Sequence, residues 1–444
     1  MLCYTNLMSG IKTTVRNIVV FIITWEAHMT LKKYKPQIIA ITGSVGKTGT
    51  KDAIYAGLEG SLFVRKSKKT LNSEIGVPLT ILGCDSGWNN PVKWSKNILE
   101  GLALIFLKNH YPKWLVLEVG VDRPGDIAHL TKWLKPDIAI ITALPDVPTH
   151  VENFKDPQDV AREKRLLAEA LKPEGTLILG GDDKRTASLK KDFSQINTVT
   201  YGIESHNDIV GSHISISYDE QGHPNGMQFK VDENGSSIPI KIAGRIGQQQ
   251  VYPVLAAFAV ARAIGLPPLS ITKGIEDSRA SRGRMRVLEG YNNTTIIDDS
   301  YNSSPTALRA ALLTLKKIGT QGKKIAVLGD MLELGRFSAD AHKKVGVQVA
   351  GIADVLITVG VRAKTIAQSA REAGFDIECI QEFDVGDAKE AGAVVRAMLE
   401  PHDVVLVKGS QTGIRLEKAV KEMLKEPQRA KELLVRQEDE WFGR

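Results

Sequence analysis

The sequence is poor in cysteine and in aromatic residues, and each shortage excludes a class of protein. Three cysteines occur among 444 residues, at Cys3, Cys84 and Cys379. No two of them form a Cys-x-x-Cys pair, so neither a disulfide framework nor a cysteine-ligated zinc site is supported. A reducing cytoplasm is then the simplest compartment. Aromatic residues make up 6% of the chain, so we expect no base-stacking surface and no nucleic-acid partner.

The sequence also lacks a strong charge excess and a long apolar run. Lys and Arg number 58 against 51 Asp and Glu, a net charge of +7, which slightly favours anionic ligands such as nucleotides. The apolar run at residues 18–23 is far shorter than the roughly 20 residues of a spanning helix. With basic residues on both sides, it predicts a helix that packs on the body or on another subunit, lies on the inner face of an anionic membrane, or acts as a signal or anchor.

Short apolar runs alternate with helical patterns from residue 37 onward, which predicts an α/β fold. Most of the runs are continuously apolar, as strands buried on both faces of a parallel sheet are. The predicted strands cover residues 37–42, 114–118, 137–143, 176–179, 294–298, 324–328, 354–359 and 404–407. Helical patterns lie between them at residues 157–171, 251–264, 306–315 and 339–350.

Two segments interrupt this alternation and divide the chain. Residues 197–244 alternate apolar and polar side chains and contain turn signals, which predicts a small antiparallel β extension. The polar segment 277–283 predicts a domain boundary. We therefore expect an N-terminal apolar and basic helix, a central domain with a mostly parallel sheet, a Rossmann-like C-terminal α/β domain and a charged helical tail, at residues 1–35, 36–280, 281–425 and 426–444.

A glycine-rich loop follows the first predicted strand and precedes a helix. Such a loop lets backbone N–H groups surround a phosphate, and the helix N-terminus adds partial positive charge. Its lysine suits the β- and γ-phosphates and its threonine suits Mg²⁺, although two residues rather than the usual four separate the glycines. The loop predicts nucleotide binding through Gly43, Ser44, Val45, Gly46, Lys47 and Thr48.

Six blocks of the sequence resemble the Mur ligase family, whose members are ATP-dependent enzymes that form amide bonds in peptidoglycan precursors. The blocks at residues 298–302 and 328–335 resemble in particular the branch that adds D-alanyl-D-alanine. All six follow the family's order along the chain, at residues 41–51, 71–80, 117–127, 298–305, 328–335 and 407–410.

The resemblance implies an ATP-dependent carboxylate–amine ligase that works through an acyl phosphate. Phosphorylation activates a carboxylate that is otherwise inert toward an amine at neutral pH, and positioning and charge stabilisation do most of the catalysis. The implied substrates are a UDP-MurNAc-peptide and D-Ala-D-Ala. Two alternatives stay open: a Mur-like ligase for another carboxylate with an amino acid or dipeptide, as in polyglutamyl synthesis or cell-wall amidation, and a nucleotide-binding scaffold without catalysis.

The resemblance also implies a metal site with two Mg²⁺ ions. Glu118 follows an apolar strand, where open α/β sheets place ligand-binding groups, and its carboxylate suits the first ion together with Thr48. His150 would bind the second ion. Lys164, carbamylated by CO₂, would supply a further anionic ligand. Read without the family, Glu118 is a solvated acid, His150 a structural or solvated histidine, and Lys164 an ordinary surface lysine.

Further residues match the family's nucleotide and substrate contacts. Arg284 would reach the γ-phosphate when the domains close, although other arginines crowd the same segment. Asp299 and Asn302 would touch the nucleotide ribose or the hinge. Asn72 and Lys408 would face the substrates.

One departure from the family concerns the UDP-sugar. Members of the D-alanyl-D-alanine-adding branch have a domain before the phosphate loop that holds this group, whereas here an apolar helix precedes Gly43. We therefore expect the holding function to be missing, replaced or supplied by a partner. The insertion at residues 85–113 predicts a helix that is a candidate to occupy the place of that domain.

Overall fold

The structure, a computed structural model, describes residues 2–67, 71–438 and 441. In these ranges the strands form two sheets, one of nine strands and one of six. The first sheet contains β1 (Gln37–Thr42), β2 (Val64–Lys66), β3 (Trp114–Glu118), β4 (Ile138–Ile141), β5 (Thr176–Gly180), β6 (Asn197–Gly202), β7 (Ile209–Tyr218), β8 (Pro224–Glu233) and β9 (Ser236–Ala243). Their spatial order is β2-β3-β1-β4-β5-β6-β7-β8-β9. Pairing is parallel from β2 to β7 and antiparallel from β7 to β9.

The second sheet is parallel except at one edge. It contains β10 (Arg286–Gly290), β11 (Thr294–Asp299), β12 (Lys324–Gly329), β13 (Val355–Val359), β14 (Ile380–Phe383) and β15 (Val404–Lys408). The order is β10-β11-β15-β12-β13-β14, and only β10 runs against its neighbour. The predicted fold class is confirmed: a mostly parallel central sheet with an antiparallel extension, followed by a second α/β unit.

Helices cover both sheets, and their starts follow local rules. Asn90, Asp156 and Ser304 each cap a helix N-terminus through the side chain and precede a proline in its first turn, a combination that fixes where a helix begins. The helices are α1 (Leu2–Tyr34), α2 (Lys47–Leu58), α3 (Gly76–Leu82), α4 (Pro91–Phe106), α5 (Asp126–Thr131), α6 (Pro157–Glu169), α7 (Lys184–Asp192), α8 (Val251–Ala263), α9 (Leu269–Glu276), α10 (Pro305–Lys317), α11 (Ser338–Val349), α12 (Lys364–Glu372), α13 (Ala388–Met398), α14 (Glu417–Met423) and α15 (Ala430–Leu433).

The C-terminal tail differs from the predicted charged helix. Its helical part consists of a short 3₁₀ turn and α15, and it ends at Leu433. Beyond that point Leu434 is completely buried, and Arg436 has a left-handed backbone with φ of 56°. The Arg436 guanidinium donates to Glu417 at 3.0 Å and to the Ser300 carbonyl at 3.3 Å. The helical prediction is wrong for residues 434–438, because these tertiary contacts hold the chain out of a helix.

The predicted N-terminal helix is present as α1, and it packs on the body of the protein. It lies against α3 and α4, with Ile23 and Ala27 completely buried. The Lys33 ammonium donates to the carbonyl oxygens of Leu104 and Leu107 at 2.8 and 2.6 Å, so α1 caps the C-terminal end of α4. In the described part of the chain, no helix has both the length and the apolar character that a membrane span requires.

Glu26 is completely buried in the seam between α1 and α4. Neither carboxyl oxygen has a hydrogen-bond partner among the described residues, and a Cβ atom at Gly101 would lie 2.3 Å from Oε2. Burial raises the pKa of Glu26 to about 7, because the charged form loses its water. The carboxyl group is therefore protonated in mildly acidic solution and ionises near neutrality.

This raised pKa gives a prediction about stability and pH. A carboxyl group whose folded-state pKa is raised above its ordinary value of 4.5 stabilises the folded state fully below pH 4.5. This stabilisation is lost as the pH rises through about 7. We therefore predict that the stability of Glu26→Gln relative to the wild type increases as the pH is raised from about 5 to about 8. The measurement is the free energy of unfolding from denaturant titrations at both pH values. Glu390→Gln, at an exposed position of α13, is the control, and the same pH dependence in both variants would contradict the prediction.

Candidate active site

The glycine-rich loop lies at the carboxyl end of β1 and leads directly into α2. Gly43 and Gly46 have φ of 140° and 85°, conformations that favour glycine. A Cβ atom at Gly43 would lie 2.0 Å from the Thr142 hydroxyl, and the same hydroxyl donates to the Val45 carbonyl at 2.6 Å. The end of β4 thus fixes the loop, and the free N–H groups of the α2 N-terminus face the adjoining cavity, an arrangement that binds anions.

Thr48, in the first turn of α2, joins the loop to the rest of the site. Its hydroxyl donates to Glu118 Oε2 at 2.9 Å and accepts from Arg284 Nη2 at 3.0 Å. Asn72 donates to the other oxygen of Glu118 at 3.2 Å, and the Arg284 guanidinium lies 4.1 Å from the centre of the Tyr301 ring. Four residues expected from the sequence, Thr48, Glu118, Asn72 and Arg284, therefore meet at one point.

Two lysines of α2 flank this contact, and only one was expected. Lys47 donates to the Gly43 carbonyl at 2.8 Å, and burial lowers its pKa. Lys51 was missed by the sequence analysis: it is completely buried, lies 3.8 Å from Glu118 and donates to the Ser67 hydroxyl at 3.2 Å. Its position one turn after Lys47 was the available signal, because residues four apart lie on the same face of a helix.

Lys164 on α6 is buried to 1% exposure. No hydrogen bond or ion pair joins its ammonium group to another residue in the ranges that the structure describes. Burial, and secondarily the positive charge of Lys47, holds its pKa well below the ordinary value, while Asp122 and Glu163 act in the opposite direction. An ordinary solvated lysine is therefore excluded, because burial disfavours the charged form of this amine.

His150 lies at a contact between the two α/β units. Its backbone has φ of 63°, its Nδ1 atom lies 2.9 Å from Glu333 Oε2, and its Nε2 atom lies 3.6 Å from Asp122 Oδ1. The hydrogen bond to His150 lowers the pKa of Glu333. Both ring nitrogens thus face carboxylates, and the role of His150 as a metal ligand stays a prediction.

The expected nucleotide and substrate residues of the second unit form one cluster. Asp299 and Lys408 stand side by side at the carboxyl ends of β11 and β15. Lys408 Nζ lies 2.6 Å from Asp299 Oδ2 and donates to the Asn302 carbonyl at 2.9 Å. Asp299 Oδ1 accepts from the Met285 backbone N–H at 3.1 Å. The ion pair therefore also holds the segment that carries Arg284, and a direct contact of Lys408 with substrate stays a prediction.

These groups surround a cavity of about 1640 Å³. The loop, Glu118, His150, Arg284 and the Asp299 cluster line it, whereas Lys51 and Lys164 are not among its lining residues. Among the described residues, no group of three or more His, Cys, Asp or Glu side chains is placed to hold a metal ion. The Thr48 hydroxyl and the Glu118 carboxylate nevertheless suit Mg²⁺, which commonly takes one or two protein oxygens and completes its shell with water and phosphate.

The charges around the cavity predict its ligand. Lys47 and Arg284 flank the loop, with Glu118 as the buried carboxylate between them. Cations and backbone N–H groups arranged in this way stabilise the charge that develops on a transferring phosphoryl group. The site can therefore bind a nucleotide triphosphate with its terminal phosphate between the two units.

Two family descriptions match the chain. "Mur ligase middle domain" covers residues 41–261, and "Mur ligase, glutamate ligase domain" covers residues 283–411. The first covers most of the large sheet and its phosphate loop, and the second covers the second sheet. The gap between them, residues 262–282, contains all but the last residue of the polar segment 277–283, where the sequence predicts a domain boundary.

Individual relatives agree with these matches. The chain is 30% identical over 398 residues to the UDP-N-acetylmuramoyl-tripeptide–D-alanyl-D-alanine ligase of Bacillus subtilis. This match covers 89% of this chain and 78% of the relative. A Buchnera aphidicola ligase of the same name is 30% identical over 317 residues, 71% of this chain and 62% of its own length. The crystal structure of MurF from Thermotoga maritima in complex with ADP has a TM-score of 0.74 at 25% identity, covering 93% of this chain and 84% of that one.

The Asp299–Lys408 pair gives a prediction about stability. Removal of one partner of a buried ion pair leaves the other charge unpaired, which typically costs about 3–5 kcal/mol. We predict a loss of that size for Lys408→Met, and a smaller loss for the double variant Asp299→Asn/Lys408→Met, in which no charge is left unpaired. Denaturant unfolding of the wild type, the two single variants and the double variant measures the coupling. Strictly additive losses would contradict a direct interaction.

Proposed function

Because this chain belongs to the Mur ligase family, we propose that it is an ATP-dependent ligase that joins the terminal carboxylate of a UDP-MurNAc-peptide to the amine of D-Ala-D-Ala. The main support is the contact of Thr48 with both Glu118 and Arg284, since it brings the linker to the second unit directly onto the phosphate loop. The names and coverage of the relatives support the choice of substrates.

The substrate carboxylate receives the terminal phosphoryl group of ATP, and the amine then attacks the acyl phosphate with loss of inorganic phosphate. In this proposal Lys47 and the loop N–H groups hold the β- and γ-phosphates. Arg284 stabilises negative charge on the transferring group from the opposite side. Asp299 and Asn302 contact the nucleotide near the hinge, and Asn72, which lines the cavity beside Glu118, faces the substrates.

Magnesium fits the donor set near the loop. Thr48 and Glu118 would hold one ion, and His150 would take part in holding a second once Glu333 or Asp122 gives way. When bound, the ions neutralise charge on the phosphates. The chain's own residues fix the positions of these ligands: Asn72 and Lys51 orient the Glu118 carboxylate.

The surroundings of Lys164 support the proposal that it is carbamylated. A neutral amine attacks CO₂ to form a carbamate and releases one proton, whereas an ammonium group has no electron pair for this step. Lys164 is buried with a strongly lowered pKa and without a carboxylate partner in the described part of the chain. The resulting anion would compensate the nearby charge of Lys47 and add an oxygen ligand for Mg²⁺.

A first experiment tests the ligase reaction itself. We predict release of inorganic phosphate only when ATP, Mg²⁺, UDP-MurNAc-tripeptide and D-Ala-D-Ala are all present, and a loss of at least about 100-fold in kcat for Lys47→Ala. Lys191→Ala, an exposed lysine of α7, is the matched control. Nucleotide binding without substrate-dependent phosphate release would instead favour a scaffold. Release with another carboxylate or amino acid alone would favour a ligase of different specificity.

A second experiment tests the carbamate. With ¹³C-labelled bicarbonate we expect a carbamate carbon signal in the NMR spectrum of the wild type that is absent from Lys164→Ala and retained in Lys191→Ala. Activity should fall by at least about 100-fold in Lys164→Ala and recover in part with short carboxylic acids, which replace the missing anion. A wild type with full activity and no labelled signal in CO₂-free buffer would remove the carbamate from the mechanism.

A further inference from the structure

The two paired helices α1 and α4 expose large apolar side chains that the ligase reaction does not use. On α1, Ile18, Phe21 and Trp25 are exposed, Phe21 to 72%. On α4, Val92, Leu99 and Phe106 are exposed, Phe106 to 75%. We refer to these six residues as the α1–α4 surface. Single exposed apolar residues are ordinary, but several large ones on two paired helices indicate an interaction surface.

The spacing of these residues makes two stripes. Ile18, Phe21 and Trp25 follow the three- and four-residue steps of one helix face, and Val92, Leu99 and Phe106 are seven residues apart, which is nearly two turns. Because Glu26 and Gly101 face each other in the seam, neither stripe lies between the helices.

The helices run side by side in the same direction. Glu26 meets Gly101, and further along both helices Lys33 binds the carbonyl oxygens at the end of α4. The two stripes therefore extend along one two-helix layer that is tied together at its middle and at its C-terminal end. Such a layer offers an apolar area longer than a single helix turn, as binding to an extended partner requires.

Positive charge accompanies the apolar stripes. Together α1 and α4 contain six basic residues, Lys12, Arg16, Lys32, Lys33, Lys93 and Lys96, against the two acids Glu26 and Glu100. Of these acids, Glu26 is buried.

The positions of Lys32 and Lys96 tie this charge to the stripes. Lys96 lies between Val92 and Leu99 on one face of α4, and Lys32 continues the α1 stripe seven residues beyond Trp25. In the part of the chain that the structure describes, no carboxylate lies within ion-pair distance of Lys32 or Lys93.

We propose that the α1–α4 surface docks on an anionic phospholipid bilayer, with both helices lying in the interfacial plane. Apolar side chains enter the boundary of the acyl chains, and the lysines contact the lipid phosphates, the combination by which interfacial helices bind. The charge decides between occupants. A second copy of this chain would bring the same excess of lysines against itself, whereas an anionic lipid surface complements it.

This inference goes beyond the ligase activity and does not depend on it. The proposed surface contains none of the residues assigned to phosphate, metal or substrate. Substitutions on it should therefore leave turnover with soluble substrates unchanged when no lipid is present. Loss of docking and loss of ligase activity can then be told apart in the same set of variants.

The test is sedimentation of the full chain with vesicles of phosphatidylcholine alone and of phosphatidylcholine mixed with phosphatidylglycerol. We expect binding to the anionic vesicles only, weakening as salt is added. We expect a decrease of about tenfold or more for Leu99→Ser/Phe106→Ser, since each change removes a large apolar group from the lipid boundary. Lys93→Gln/Lys96→Gln should also weaken binding to the anionic vesicles, because it removes two charges proposed to contact the lipid phosphates.

Matched controls come from the second unit. Val361→Ser/Ile377→Ser replaces side chains that are exposed to a similar extent, 67% and 65%, and Lys343→Gln/Lys389→Gln replaces two exposed lysines. Both controls should bind vesicles like the wild type. The proposal is overturned by the absence of sedimentation with anionic vesicles at low salt, or by equal losses in the controls. A concentration-dependent dimer in light scattering that Leu99→Ser/Phe106→Ser abolishes would assign the surface to a second copy instead.

Discussion

One hydroxyl group, that of Thr48, constrains the geometry of the whole cleft. A hydroxyl has a single proton to donate, and Thr48 gives it to Glu118 while accepting from Arg284. The phosphate loop, the end of β3 and the linker to the second unit are thereby held at one point. A Mg²⁺ ion held by the Thr48 and Glu118 oxygens would take the place of this hydrogen bond. The same three side chains form a compact contact by themselves.

The balance of buried charge explains why the cleft needs an anion. Lys51 and Lys164 are almost completely buried, Lys47 is buried enough to lower its pKa, and Glu118 is the buried carboxylate nearest to the loop. Burial disfavours the charged forms of these three lysines. Lys51 has Glu118 and Asp52 at 3.8 and 3.9 Å, and an added anion would favour the charged form of Lys47. The phosphate groups of a bound nucleotide would supply such an anion, and so would the proposed carbamate on Lys164. Fixed charges of this kind need no rearrangement at the moment of reaction, which is the basis of electrostatic catalysis.

Local sequence patterns were sufficient for most of the fold but not for contacts between distant segments. The eight predicted strands are all present, because continuous apolar runs identify strands that are buried on both faces. Strands β2, β10 and β14 escaped prediction because they are short and lie at sheet edges. The phosphate loop was evident from its glycines. The contact of His150 with Glu333 was not, since it joins loops of different units, and the pairing of Asp299 with Lys408 depends on strand register.

In the proposed docking, α1 would both line the cavity and contact the bilayer. At about 1.5 Å per residue its 33 residues extend for roughly 50 Å, so one part of the helix can line the cavity while another lies along α4. Arg16 does line the cavity and pairs with Glu74, whereas Phe21 and Trp25 are exposed further along the helix. Because a helix transmits displacement along its axis as a rigid rod, a bilayer that fixes Phe21 and Trp25 also fixes Arg16. The cavity wall would then be oriented relative to the membrane by a continuous piece of secondary structure rather than by a flexible linker.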